Sequence, residues 1–147
     1  MGNFLQVQAR CLERFIHFYI PRAPPLIAKC TVLVAAYHVM ASGTGQLFAV
    51  DGDSIMATAS GMVGAHDVAE APDGTIWVAD NFQRRLVQFT QNLELMHMLQ
   101  GAQFGFVGPR YLDFDSSGII YVADQEAHRV LKIDPITNEV LGVIGTG

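Results

Sequence analysis

From residue 42 onward, short apolar runs alternate with clusters of Asp, Gly, Pro, Asn and Ser. That is the punctuation of many short strands. Two stretches superimpose: Asp73-Gly74-Thr75-Ile76-Trp77-Val78-Ala79-Asp80 on Ser117-Gly118-Ile119-Ile120-Tyr121-Val122-Ala123-Asp124. The offset of 44 residues also brings Arg85 onto Arg129, Leu86-Val87 onto Val130-Leu131 and Gly101 onto Gly145. Each unit divides into four strands, predicted at 67–71, 76–79, 86–90 and 93–99, then at 111–115, 119–123, 130–134 and 140–144. The second strand of each unit is a continuous apolar run rather than an alternating one, which implies burial on both faces. A period in the low forties, with strands and a turn in every unit, indicates β-propeller blades, so the expected fold class is all-β.

Ahead of these units, the runs at 46–50 and 54–59 flank Asp51-Gly52-Asp53, a hairpin turn. This predicts the outer half of a further blade at 46–60, followed by blades at 61–108 and 109–147, about two and a half in all. Propellers close with about 4–8 blades, so the pattern is that of a partial propeller, either a fragment of a longer parent chain or a unit that assembles as a homo-oligomer.

The first 41 residues follow another pattern. Residues 4–20 have helical spacing until Pro21, Pro24 and Pro25. Beyond Lys29, an apolar run from Cys30 to Ala41 is too short to span a bilayer, which takes about 20 residues. It fits the hydrophobic region of a secretory signal, with Val39-Met40-Ala41 before the cleavage point, or else a buried strand or helix. The signal reading makes 1–41 a leader and the protein secreted or periplasmic.

Charge sharpens that division. Arg10, Arg14, Arg22 and Lys29 against Glu13 give the first 41 residues +3, while 5 basic and 13 acidic side chains give the remainder −8. An acidic body with scattered cations releases few counterions from a phosphate backbone, which argues against nucleic acid as a partner. With half the residues hydrophobic and 16% charged, the chain is not disordered. Its two cysteines, Cys11 and Cys30, form neither a disulfide scaffold nor a CxxC site.

Tyr121-Val122-Ala123-Asp124 followed by Ala127-His128-Arg129-Val130 resembles the core of the NHL repeat, and Trp77-Val78-Ala79-Asp80 with Arg84-Arg85-Leu86-Val87 is a looser copy. Gly108-Pro109 fits the same pattern, so the resemblance covers roughly residues 61–147. It implies a propeller that presents its loops to a protein or peptide, with no cofactor, although this family also holds RNA-binding platforms and enzymes. The usable loops are those around 63–67, 81–84, 106–110 and 125–128, and the candidate binding residues are Arg84, Arg85, Arg110, His128 and Arg129. Asp80 with Arg85 and Asp124 with Arg129 also read as repeated structural ties, which a repeat array favours.

One enzymatic relative, the peptidyl-α-hydroxyglycine α-amidating lyase, is similar around His66-Asp67-Val68 and Arg85-Leu86-Val87-Gln88-Phe89. The resemblance implies zinc held by histidines at the heads of three inner strands, with His66 as one ligand, because converging imidazoles leave positions open for substrate oxygens. The departures are clear. Arg110 stands 44 residues after His66, and Phe82 stands near the place of the lyase's catalytic tyrosine. No catalytic residue is identified on this alternative; Asp67 and Asp113 are the remaining candidate cation ligands.

Overall fold

The computed structural model describes residues 28–34, 37–42, 46–51 and 54–146. The helix expected over 4–20 lies outside them. Among the described residues, twelve strands form three four-stranded sheets. The first contains β1 (Ala28–Val34), β2 (Tyr37–Ser42), β3 (Leu47–Asp51) and β4 (Ser54–Ala59). The second contains β5 (Ala65–Glu70), β6 (Ile76–Asp80), β7 (Arg85–Phe89) and β8 (Leu95–Leu99). The third contains β9 (Pro109–Phe114), β10 (Ile120–Asp124), β11 (Arg129–Asp134) and β12 (Glu139–Gly145). Every strand pairs antiparallel with its neighbours in sequence, so each sheet is a simple meander. A 3-10 turn, Gln125–Ala127, lies between β10 and β11 of the third sheet. We call the sheets blades 1, 2 and 3.

Blade 1 corrects the sequence reading. The half blade expected over 46–60 is a whole one, completed by β1 and β2 from the segment expected to be a leader. The apolar run after Lys29 supplies these two strands, with Val34 opposite Tyr37 and Leu33 opposite His38. A signal's hydrophobic region and a buried strand pair have the same composition, so the run alone could not separate them. The boundary drawn after Ala41 falls inside β2.

The blades pack face to face, with β5 beside both β1 and β9. Between blades 1 and 2, Leu47 and Ala49 meet Met62, Ile76, Val78, Val87 and Phe89. Between blades 2 and 3, Trp77, Ala79, Leu86 and Leu99 meet Phe106, Leu112, Ile120, Val122, Leu131 and Ile133. The strand period of two explains both layers: alternate residues of β6 serve opposite neighbours, so all five are buried. Each fully buried aliphatic side chain contributes about 1.5–3 kcal/mol relative to exposure. Trp77 adds a tilted contact with Phe114 across the layer, at 6.1 Å between ring centroids. Its indole N–H donates to Thr75 Oγ1 at 3.2 Å, leaving no polar atom stranded.

Candidate functional site

The connections between blades and the connections from the second to the third strand of blades 2 and 3 come together at one end of the sheets. A repeated polar latch holds them. In blade 2, Val63 N donates to Asp80 Oδ1 at 2.8 Å, Arg85 Nε donates to Asp80 Oδ2 at 2.9 Å, and Arg85 Nη2 donates to the Gly61 carbonyl at 2.8 Å. In blade 3, Val107 N and Gly108 N donate to Asp124 Oδ1 at 3.0 and 2.6 Å. Arg129 Nε and Nη2 donate to Asp124 Oδ2 at 3.1 and 3.0 Å, and Nη2 also donates to the Gly105 carbonyl at 2.6 Å. Asp80 and Asp124 are fully buried, a state that a carboxylate tolerates only when paired and hydrogen-bonded.

Each latch thus ties an incoming loop to the end of one strand and the start of the next. Gly61-Met62-Val63-Gly64 and Gly105-Phe106-Val107-Gly108 repeat at the same 44-residue offset and supply the backbone half. The second glycine of each lies against a side chain of the neighbouring turn, and Gly64 also takes φ of +90°. A Cβ on Gly64 would lie 2.5 Å from Phe82 Cδ2, and one on Gly108 would lie 2.7 Å from Glu126 Cγ. In blade 1 the ends of β2 and β3 carry Ala41-Ser42 and Gln46, so no carboxylate–guanidinium pair is available there.

The candidate residues therefore separate. Arg85 and Arg129 are committed to the latches. Arg84 and His128, at equivalent places, are exposed and left-handed, with φ of +53° and +52°. Each closes the same turn, donating its N–H to the carbonyl of Asn81 or Gln125. A non-glycine residue held in this region costs about 1–3 kcal/mol and persists only where its surroundings enforce it. Arg84 also lines a groove of about 520 Å³ with Gln83, Gln100, Gly105 and Phe106.

His66 is half-buried and lies edge-on to Phe82, at 6.3 Å and 76°. Arg110 is half-buried, on the inner strand of blade 3. Its Nε is buried with no hydrogen-bond partner, and so is the Nδ2 of Asn81, a residue only 2% exposed. Of the two remaining candidate cation ligands, Asp67 accepts from Leu112 N at 2.9 Å and Asp113 accepts from Phe114 N at 2.9 Å. Among the described residues, no group of three His, Cys, Asp or Glu side chains comes together.

The same end exposes apolar groups. Phe82 is 69% exposed and Val63 is 53% exposed. Sequence reasoning placed Val63, Asn81 and Phe82 in usable loops but did not name them as binding residues, and weighed Phe82 individually only as a missing tyrosine. Their role depends on which loops meet, although the second GxVG copy was visible at the known offset. Chemically, the surface offers hydrogen-bond donors beside exposed apolar side chains, an arrangement suited to recognition of a chain segment.

No family model matches this chain, and no curated protein matches it in sequence. Solved structures do. It is similar to Kuenenia stuttgartiensis hydrazine synthase, with a TM-score of 0.70, 15% identity, and coverage of 88% of this chain and 40% of that one. The WD40 β-propeller domain of Doa1 gives 0.70 at 14% identity, covering 85% of this chain and 43% of that one. The Myceliophteria thermophila Cps50 (Swd1) β-propeller domain gives 0.69 at 13%, covering 82% and 43%. The chain therefore has the β-propeller fold and spans less than half the length of these structures. Among the described residues, no helix is long and apolar enough to cross a membrane.

Proposed function

We propose that the chain is a protein- or peptide-binding platform of NHL-like blades that works through its latched loop face. One observation carries this reading: exposed Phe82 and Val63 stand at the latched end, with exposed Arg84, which lines a groove, in the same turn as Phe82. A ligand suited to both features presents acceptors beside apolar side chains. Main-chain carbonyls of a peptide segment do this without adding negative charge to a body that already carries a surplus of it. Arg84 and His128 flank the same surface, and the latches hold the loops rigid before binding. Propeller neighbours such as the WD40 domain of Doa1 support the fold on which such a platform is built. This reading requires no cofactor.

The test is selection of a displayed random peptide library on the full chain, followed by titration of the enriched peptides. Phe82→Ser and Arg84→Ala are expected to weaken binding about tenfold or more each, the size of a central anchor. Gln91→Ala, on the opposite end, leaves it unchanged. Failure to enrich any peptide, or binding indifferent to Phe82 and Arg84, removes the platform reading. Stoichiometric zinc in the purified chain, lost in His66→Ala, would favour the lyase-like alternative instead.

A further inference from the structure

The 44-residue repeat separates what the fold needs from what it does not. Its framework stands in both blades: Arg85 and Arg129 close the latches, and Gly101 and Gly145 both take positive φ at the ends of the outer strands. Four exposed side chains at the latched end of blade 2 have no like counterpart. Phe82, Gln83, Arg84 and Gln100 correspond to Glu126, Ala127, His128 and Ile144 of blade 3. Blade packing therefore does not require them.

Three of the four, Gln83, Arg84 and Gln100, line one groove of about 520 Å³ at the seam between blades 2 and 3. Ligand clefts span about 300–1,000 Å³. One wall is the β6–β7 turn, which carries Gln83 and Arg84. Asn81 N and Phe82 N tie it to the preceding connection by donating to the Gly64 and Val63 carbonyls at 3.2 Å each, and Gln83 Nε2 donates to the Gly61 carbonyl at 2.9 Å. The other wall is the connection that follows β8. There Phe104 N and Gly105 N donate to the Gly101 carbonyl at 3.3 Å, and Arg129 Nη2 donates to the Gly105 carbonyl at 2.6 Å. The Phe104 and Phe106 rings stack, with centroids 5.5 Å apart. Both walls are thus built before a ligand arrives, which lowers the ordering cost of binding.

The groove offers donors and acceptors together. Among the described residues, the Arg84 guanidinium and the Gln100 amide have no hydrogen-bond or ion-pair partner. Chemistry fixes the Gln83 amide: a carbonyl only accepts, so Nε2 serves Gly61 and Oε1 is left for a ligand. An anion brings acceptors alone and gives the two glutamine oxygens no donor. It would also meet Arg84 as the one charged side chain among the described residues that line the groove, while exposed Glu126 stands against Gly108 in the next turn. A peptide main chain brings a donor and an acceptor at almost every residue. We propose that this groove holds an extended, uncharged stretch of peptide by its main-chain amides, with Phe82 beside it taking an apolar side chain of the same ligand. Such main-chain capture rests on the chain being a peptide platform and specifies where and how the peptide is held.

The probe is a displayed random peptide library enriched on the full chain, with the enriched sequences then made as N-acetylated, C-amidated peptides. Replacing each main-chain amide in turn by an ester removes one N–H donor and weakens one carbonyl acceptor. Two or more positions are expected to lose affinity about threefold or more, the size of single hydrogen bonds. Gln100→Ala removes an unpartnered amide, and Gln83→Lys keeps a donor for the Gly61 carbonyl while removing the available acceptor. Each is expected to weaken binding about threefold or more. Raising salt from about 50 mM to about 500 mM should change Kd less than about twofold, because the bound stretch carries no charge to screen. Trp77 fluorescence confirms that each variant remains folded, and the ester scan needs no variant. Peptides that depend on Phe82 but are indifferent to the ester scan, Gln83 and Gln100 remove the groove and leave the platform reading standing. Peptides that lose affinity when an acidic side chain is neutralised, or when salt is raised, overturn main-chain capture in favour of an anion site. Failure to enrich any peptide removes the platform reading and this mode of binding with it.

Discussion

Ile76–Asp80 and Ile120–Asp124 differ by one residue, Trp77 against Tyr121, yet they live in different surroundings. Every residue of the first is buried, whereas Tyr121 and Ala123 of the second are half-buried. The sequence of a blade sets its hydrogen-bonded register and its latch, which are alike in both. Its neighbours set its burial and hence its stability. In a repeat array the interfaces, rather than the units, carry most of the stabilisation.

The sharpest way to break this comparison is to truncate the equivalent aromatic in each blade. Trp77→Ala opens a cavity in the layer between blades 2 and 3 and is expected to cost about 3–5 kcal/mol in urea unfolding. Tyr121→Ala removes a half-exposed ring that lies under the Lys132 ammonium, 5.6 Å from its centroid, and is expected to cost about 1 kcal/mol or less. Both are measured at concentrations low enough to keep copies apart. Equal losses would mean that the Tyr121 face of blade 3 is covered after all, and the contrast between the blades would fall.

The same contrast explains what could be read from the sequence. Blades 2 and 3 were legible because the 44-residue period aligns GTIWVAD with GIIYVAD, and their predicted strands lie within about two residues of the observed ones. Blade 1 was not legible. Its β2 does not end in Asp and its β3 does not begin with Arg, the two residues that mark the other blades, and its strands sit out of that period. The Asp–Arg ties were legible as a repeated pair, but not their other halves, the Gly61 and Gly105 carbonyls and the Val63 and Val107 amides. Backbone groups leave no signal in a sequence. The unpartnered donors of Asn81 and Arg110 were hidden for a related reason, since only packing decides which polar atoms lack a partner.

A smaller effect separates Asp67 from its counterpart Tyr111. Asp67 reaches across to the Leu112 amide of the next blade, whereas Tyr111 is exposed. Asp67→Ala leaves that buried amide without its acceptor and is expected to cost about 1–3 kcal/mol. Tyr111→Ala should stay within about 0.5 kcal/mol in the monomer. Urea unfolding reads both, and amide exchange at Leu112 localises the first. An unprotected Leu112 amide in the wild type would show that the bridge contributes nothing.

The smallest difference lies in the outer hairpins. Thr90 and Asp134 occupy equivalent positions at the 44-residue offset and close the turns into β8 and β12. Thr90 Oγ1 accepts from Glu94 N at 3.1 Å. Asp134 Oδ1 accepts from Ile136 N at 2.8 Å and Thr137 N at 3.3 Å. Those backbone donors, Ile136 first, hold the Asp134 carboxyl below its ordinary range because they favour the charged form. The sign follows from linkage: a carboxyl depressed in the folded state stabilises it above the unfolded value of about 4, and this contribution is lost as pH falls through the folded value. Protection of the Ile136 and Thr137 amides, corrected for intrinsic exchange, should therefore hold above about pH 4 and drop as pH falls from there through the lower folded value. The hydroxyl of Thr90 does not titrate in this window, so protection of the Glu94 amide should hold. Asp134→Asn should weaken the blade 3 turn at neutral pH and remove its acid step. A parallel acid loss in both hairpins would place the titration outside Asp134, and this last distinction between the blades would disappear.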